Sequence, residues 1–477
     1  MKEAKKNEKN LVKNASLNVL KQVCTLAFSL ITFPYVSRTL GDDSYGKYSF
    51  ASSIVEYLLI FSSSAGGAYA IREGARVKNN PAKIKELSSE LFTISCLFTF
   101  VAYIALFMLI TFWNKLHEYQ DLLCIMSLRL LATTIGVDWI FNIYEDFKNI
   151  TIRQIVVQGL GLLLTMLLVH SSDDVNLYAV ATIVAMSGAN IFNFFISRKY
   201  VKFRLTTSLN LSTHLKPIIM ILFYSAMITI YSNADIIMLG VMKNDSVVGA
   251  YSVAAKIYGI AKNIFIAALT VLLPRMSNYL GNNEFSKMKI AINTTLDILL
   301  IGLSPVIVLL VFYAKPIILL VAGKDYLKGT ASLQLLSIAL LFAVVSSLLT
   351  TNVMIPNRQE SKITIIVTIS ALSNIVLNYF FIPMWGAAAA ALTTIVAEMV
   401  VCIGAIIYSA KYIEFRRTII VLLKSGVSSL LMLVLLLAVS TFNLMGIFEI
   451  VIGGLVSCSA YVLSFLFLTR RYWRHRH

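Results

Sequence analysis

Apolar stretches of about 20 residues recur from Ala15 to Leu468, separated by short polar and charged links. At 1.5 Å of rise per residue such a stretch matches the roughly 30 Å hydrocarbon core of a bilayer. The pattern predicts about 14 crossings, near 15–37, 48–70, 89–112, 120–143, 154–170, 177–197, 217–241, 247–273, 290–313, 331–354, 363–383, 386–409, 418–441 and 446–468. The fold class that follows is an all-α polytopic membrane protein. Links shorter than about 20 residues leave no room for a soluble catalytic domain.

Hydrophobic residues make up 58% of the chain and charged residues 14%, against about 25% charged in a typical soluble domain. The net charge of +17 would suit nucleic acid if it were clustered, but its distribution is alternating. With the N-terminus placed in the cytoplasm, 29 of the 41 Lys and Arg fall in cytoplasmic tails and links, 7 in the opposite links and 5 within spans. That asymmetry follows the positive-inside rule and predicts that both termini are cytoplasmic. The excess is read as a topology signal that also meets anionic membrane lipids, for instance through Arg470, Arg471, Arg474 and Arg476, and no nucleic-acid partner is expected. No cleavable leader is evident: the Lys-rich start runs into a first span ending at Phe33-Pro34-Tyr35. Five cysteines on separate spans, with no CxxC, read as small apolar packing residues. The five histidines show no metal-ligand spacing and are expected at the surface or in the tail; no metal or cofactor is called for.

An internal repeat organises the spans. Asp43-Ser44-Tyr45-Gly46-Lys47-Tyr48-Ser49-Phe50-Ala51 links span 1 to span 2, and Asp245-Ser246-Val247-Val248-Gly249-Ala250-Tyr251-Ser252-Val253-Ala254 links span 7 to span 8. With one inserted residue, Asp, Ser, Gly, Tyr, Ser and Ala match. Six spans separate the copies, so both run in the same direction and the repeat is parallel. Asp and Ser suit a helix cap and each glycine suits a crowded turn. The expected architecture is two pseudo-symmetric six-helix bundles, residues 1–205 and 206–410, followed by two further helices and a basic tail over 411–477. Twin bundles about a central cleft suit alternating access.

Charges at mid-bilayer cost about 2.5–3.5 kcal/mol each on insertion scales, so each needs a reason. The deepest are Glu56, Arg129, Lys256, Lys262 and Glu398; Lys21, Asp138, Asp235, Asp297 and Lys424 lie nearer span ends. Lys21 and Lys424 can snorkel to the interface, Asp297 suits an interfacial position, and Arg129 and Glu56 can pair with one another. On span 1, Asn14, Asn18, Lys21, Thr25, Ser29 and Thr32 form a polar face at helical spacing, either lining water or bonding a neighbouring helix. Span 7 carries a weaker version in Ser225, Thr229, Ser232, Asn233 and Asp235. Lys256 and Asn263 share a face of span 8, and Lys262 points about 120° away.

The run Phe33-Pro34-Tyr35-Val36-Ser37-Arg38-Thr39-Leu40-Gly41, with Tyr45-Gly46, Tyr69-Ala70-Ile71-Arg72-Glu73, Asp138-Trp139 and Ile355-Pro356-Asn357, resembles the signature of bacterial polysaccharide repeat-unit flippases. That family shares a superfamily with multidrug and toxin extrusion antiporters and with lipid II flippases. The resemblance implies a transporter, not an enzyme, in the bacterial cytoplasmic membrane. Its cargo would be an undecaprenyl-pyrophosphate-linked oligosaccharide, moved from the inner to the outer leaflet. Such a cargo carries about two negative charges, which buried cations could neutralise while hydroxyl and amide groups solvate sugar. On that basis Lys21, Arg129, Lys256, Lys262, Thr25, Ser29 and Asn263 are expected to line the substrate path. With no phosphate-binding GxxxxGK[ST] loop, direct use of ATP is not expected; energy would come from a Na⁺ or H⁺ gradient or from the membrane potential, with Glu56, Asp138, Asp235 or Glu398 as the coupling carboxylate. Polysaccharide-assembly proteins are candidate partners, and the chain is expected to be a monomer. Two other readings remain: a cation-coupled multidrug antiporter on the same scaffold, which would favour a more acidic cavity, and an integral-membrane polysaccharide enzyme, for which a large catalytic loop is missing.

Overall fold

The computed structural model describes residues 2–63, 66–441 and 447–473, with side chains from residue 20 to 468 apart from the segments flanking the two breaks. Among the described residues there is no strand. Thirteen stretches are long and apolar enough to cross a membrane. The first holds two crossings: helix α1 (Lys2–Ser63) is broken at Gly41, whose φ of 73° and ψ of 174° are not helical. Glycine adopts such a conformation without the Cβ penalty. The fourteen crossings read from hydropathy are therefore present. Large apolar side chains cover the exposed helix faces, with Phe107 70% exposed, Phe112 82% and Leu423 64%, as contact with lipid rather than water requires.

The chain divides into two compact units, Met1–Gly249 and Ala250–His477. The first contains α1, a short amphipathic α2 (Ala68–Val77), α3 (Pro81–Phe112), α4 (Gln120–Ile135), a one-turn α5 (Asp138–Ile143), α6 (Phe147–Leu168), α7 (Val175–Ser197) and α8 (Leu211–Met242). Helix α9 (Asp245–Thr270) begins at its end. The second unit continues with α10 (Leu273–Gly281), α11 (Phe285–Phe312), α12 (Ala314–Val321), α13 (Thr330–Leu349), α14 (Glu360–Trp385), α15 (Ala387–Ser409), α16 (Phe415–Ser440) and α17 (Ile447–Trp473).

The repeat seen in one sequence motif extends through this element order. Short α2 and α10 each follow the second crossing of their copy, and 3₁₀ turns at Asn114–Tyr119 and Lys324–Gly329 precede α4 and α13. Before α6 and α14 the chain passes through a left-handed non-glycine residue, Glu145 (φ 58°) or Arg358 (φ 56°). Each turn is closed by a bond five residues back, Asp146 N–H to Phe141 O at 2.9 Å and Gln359 N–H to Met354 O at 3.0 Å. A tyrosine beyond the sixth crossing of each copy clasps that turn: Tyr200 donates to Asp146 at 2.7 Å and Tyr412 to Asn357 at 3.0 Å. The segment after each sixth crossing donates a backbone N–H to the third, Arg204 to Ser89 at 3.2 Å and Glu414 to Asn293 at 2.7 Å.

Local chemistry explains the boundaries. Asn80 caps α3, accepting from the N–H groups of Ala82 and Lys83 at 3.1 Å, and Pro81 takes the first helical position where no donor is needed. Gly386 (φ 56°) turns α14 into α15, and buried Ala387, Ala389, Ala390 and Ala391 let these helices approach closely. In the second unit, α16 and α17 close on α11 around Tyr313, Met432, Leu436 and Tyr461. Asp297 pairs with Arg417 (Nε–Oδ2 2.7 Å), joining α11 to α16.

Candidate transport site

Span 1 delivers Lys21, Thr25 and Ser29 on one face of α1, before the break at Gly41. Thr25 exchanges hydrogen bonds with Gln158 of α6, at 3.2 and 3.0 Å. Its hydroxyl therefore bonds a neighbouring helix, one of the two roles the polar stripe allowed. Lys21 and Ser29 are half-buried; the side chains of Asn14 and Asn18 lie outside the described residues. Asp138 opens α5 just after Val137, held at φ 23°. Asn193 of α7 donates to its carboxylate, and the charges of Lys21 and Arg153 both act on it. Arg153 lies one turn inside α6, stacked 4.4 Å from the Phe141 ring, with Nε bonded to Asn149 O at 3.0 Å. The unit thus gathers Lys21, Asp138, Arg153 and Asn193 from four elements.

Four of the residues expected in two separate roles join as ion pairs. Arg129 Nη2 lies 2.7 Å from Glu56 Oε1, with the arginine side chain 7% exposed and the glutamate 36%. Arg129 Nε and Nη1 are buried with no hydrogen-bond partner. In the second unit Lys262 Nζ lies 2.8 Å from Glu398 Oε1, with 22% and 4% exposure. Tyr258 donates to the same carboxylate oxygen at 2.9 Å. These two of the four cations expected to meet substrate are each engaged by an acid expected to couple an ion. Desolvation accounts for this: an unpaired charge at such depth is costlier than a pair.

Lys256 behaves differently. It is exposed, as is Asn263 seven residues on, so the shared face read from the sequence is present. Among the described residues no hydrogen bond or ion pair engages the Lys256 ammonium. Asp235 is 7% exposed, and its charge acts on Tyr57. Sequence reasoning missed Arg153, because α6 begins at Phe147, before the apolar run that marked the span. It also missed the buried polar chain of Asn374, Asn378 and Thr393, in which Asn378 donates to Asn374 at 3.1 Å. One expectation is corrected outright: His214 is not a surface residue but is 6% exposed and bonded to Glu90 at 2.9 Å. Burial follows because the link after α7 returns to α3 rather than running free.

The two copies of the Asp-Ser-Gly motif meet within the first unit. A Cβ on Gly46 would overlap the Asp245 carbonyl oxygen, and one on Gly249 would overlap the Asp42 carbonyl oxygen. Only glycine permits that backbone approach. Ser246 donates to Asp42 and Tyr119 to Asp245 at 2.6 Å. Lys115 caps the carbonyl end of α8 through Gly240 O and Val241 O, where a cation also meets the negative end of the helix dipole. Of the two motif acids Asp245 is held by Tyr119, whereas Asp43 pairs with Lys47 four residues on at 3.1 Å; Asn244, one residue before Asp245, supplies the cap of α9 to Val247 N–H at 3.2 Å.

Comparison with known proteins places these features in context. The model of the family described as polysaccharide biosynthesis protein matches residues 11–280, more than half the chain, and the MatE model matches residues 220–380. A protein of Shigella dysenteriae named "Putative O-antigen transporter" is 22% identical over 395 residues, covering 82% of this chain and 97% of its own. One of the same name from Escherichia coli (strain K12) is 21% identical over 401 residues, covering 83% and 95%. Among solved structures, the lipid II flippase MurJ in an inward closed conformation superposes with a TM-score of 0.77 at 17% identity, covering 97% of this chain and 99% of that one. An inward-facing multidrug resistance MATE family transporter gives 0.61 at 12% identity, covering 82% and 97%. Coverage of 97% leaves too few residues over to omit α16 and α17, so the fold shared with MurJ includes that C-terminal pair.

Proposed function

This chain belongs to the polysaccharide biosynthesis protein family, and from that premise we propose that it flips undecaprenyl-pyrophosphate-linked oligosaccharide repeat units across the bacterial cytoplasmic membrane by alternating access. It is a multi-pass membrane transporter and not an enzyme, in keeping with relatives named as transporters and a flippase. The observation that carries the choice of cargo is the α16–α17 pair, present in the lipid II flippase fold, joined to a set of deep cations rather than acids alone.

The mechanism uses the ion pairs as exchangeable contacts. A pyrophosphate entering beside Lys256 and Asn263 meets an ammonium with no competing partner. It then competes with Glu398 for Lys262 and with Glu56 for Arg129, since phosphate oxygens and carboxylates bind the same donors. Displacing Glu398, only 4% exposed, leaves a buried carboxylate without its counter-charge, which favours binding of a coupling cation there. Asp138, between Lys21 and Arg153, and buried Asp235 are the further coupling candidates. Separation of the crossed Gly46 and Gly249 turns opens the path at that end. The lipid tail stays in the bilayer, so only the headgroup needs a polar route.

The reading is tested by leaflet-resolved assay of lipid-linked repeat units in a strain deleted for this gene. They are expected to build up in the inner leaflet; normal outer-leaflet delivery rejects the function. Lys256→Ala is expected to cut transport at least about tenfold, the loss of one charge-assisted contact to phosphate of roughly 1.5–3 kcal/mol, with protein level unchanged because the side chain holds no partner. Lys256→Arg should retain most activity. The antiporter reading draws support from the MatE match. Restored drug tolerance with no change in lipid-linked intermediates would favour it.

A further inference from the structure

The link from α7 into α8 is strapped to α3. Arg204 N–H donates to Ser89 Oγ at 3.2 Å, Thr206 N–H to Thr93 Oγ1 at 3.1 Å and Asn210 N–H to Glu90 Oε1 at 3.0 Å. The second oxygen of Glu90 faces His214 Nε2 at 2.9 Å, and His214 Nδ1 faces the Tyr69 hydroxyl of α2 at 2.7 Å. Tyr69, Glu90 and His214 are 4%, 8% and 6% exposed. A cavity of about 250 Å³ lined by Lys85, Glu86, Ser89, Glu90, Arg204 and Thr206 reaches the carboxylate from the surface.

We propose that Tyr69, His214 and Glu90 form a proton-binding site, filled through this cavity, that fastens the connection between the two repeat copies. With a neutral imidazole, Nε2–H donates to Glu90 and Nδ1 accepts the Tyr69 proton. The carboxylate charge then lies buried with hydrogen bonds but no balancing cation. A proton taken from water adds to the Nδ1 lone pair; Nδ1–H now donates to the Tyr69 oxygen, and the tyrosine hydrogen gives up its bond to the ring. No bond other than these hydrogen bonds changes, and the result is a charge-balanced imidazolium–carboxylate pair. The bond to the carboxylate is charge-assisted in either state; a positive donor adds direct attraction between opposite charges in a poorly solvated setting, and imidazole is the side chain whose charge ordinarily changes near neutral pH.

The surrounding charges leave room for that response. On α2, Glu73 pairs with Arg72 and Arg76, at 3.0 Å each. On α3, Lys85 and Glu86 are exposed at the cavity mouth, as are Arg204 on the strap and Lys216 one turn into α8. The pairing of His214 with Glu90 is thus set by the three buried residues rather than by the exposed rim.

The test is amide hydrogen exchange across residues 204–214 of the purified full-length protein in lipid nanodiscs at pH 8 and pH 6, corrected for the intrinsic pH dependence of exchange. In the wild type, protection is expected to rise about tenfold on acidification, from the added attraction of a positive donor for the buried carboxylate. His214→Gln and Glu90→Gln are each expected to show equal protection at the two pH values. Glu90→Gln keeps the shape and hydrogen-bonding capacity of the site, so it serves if the histidine variant folds poorly. A wild type without the rise, or variants that retain it, overturns the proposal. No substrate enters the experiment, so either outcome is independent of the flippase reading.

Discussion

Replacing Lys262 by Met is expected to destabilise the protein by about 3 kcal/mol, because it strands Glu398 as an uncompensated buried charge. The lysine is 22% exposed but its partner only 4%, so water cannot screen what is left. Tyr258 still donates to Glu398, which keeps the loss toward the lower end of the roughly 3–5 kcal/mol seen when one member of a buried pair is removed. Thermal unfolding in detergent should therefore show a marked drop for Lys262→Met. The double replacement Lys262→Met with Glu398→Met should recover most of it, because both charges and their desolvation disappear together. Transport separates structure from chemistry. The double variant is expected to be stable and inactive if Lys262 meets the pyrophosphate. A stable and fully active double variant would limit the pair to a scaffolding role.

Cysteines introduced at Asp42 and Ser246 are expected to form a disulfide on oxidation and to stop transport, with activity returning on reduction. The side chains are in hydrogen-bond contact and the backbones so close that Gly249 cannot carry a Cβ, which suits the short Cα separation a disulfide demands. The five native cysteines would be replaced first so that only the engineered pair can bridge. A cross-link costs activity only if the motif copies must part during the cycle. Complete cross-linking with undiminished flipping would show that they stay together and would remove alternating access at this end. Gly249→Val is a companion with the opposite bias: its side chain should force the turns apart and disfavour the closed arrangement.

Much of this was legible in the chain because hydrophobic periodicity and repeated motifs are local. The spans follow from length and apolarity alone, since the bilayer fixes both. The parallel repeat followed from two short motifs six crossings apart, and the structure extended it to pairs with no sequence resemblance, such as Tyr200 with Asp146 and Tyr412 with Asn357. Depth in the membrane marked Glu56, Arg129, Lys262 and Glu398 as costly. It allowed Arg129 to pair with Glu56 but gave no partner to Lys262 or Glu398, and it sorted cations and acids into opposite roles.

Sequence by itself determined an all-helical membrane-spanning scaffold, its crossing number and the need for glycine at each repeated turn, because each depends on properties of neighbouring residues; that the two turns pack against each other was decided by the fold. The pairing of Arg129 with Glu56 was one of the roles the sequence offered and the tertiary structure selected it; only the tertiary structure brought Lys262 to Glu398 and His214 to Glu90. Those contacts join residues 73, 136 and 124 positions apart. A buried charge takes whatever counter-charge helix packing brings within reach, and packing is a property of the whole fold rather than of any stretch of chain.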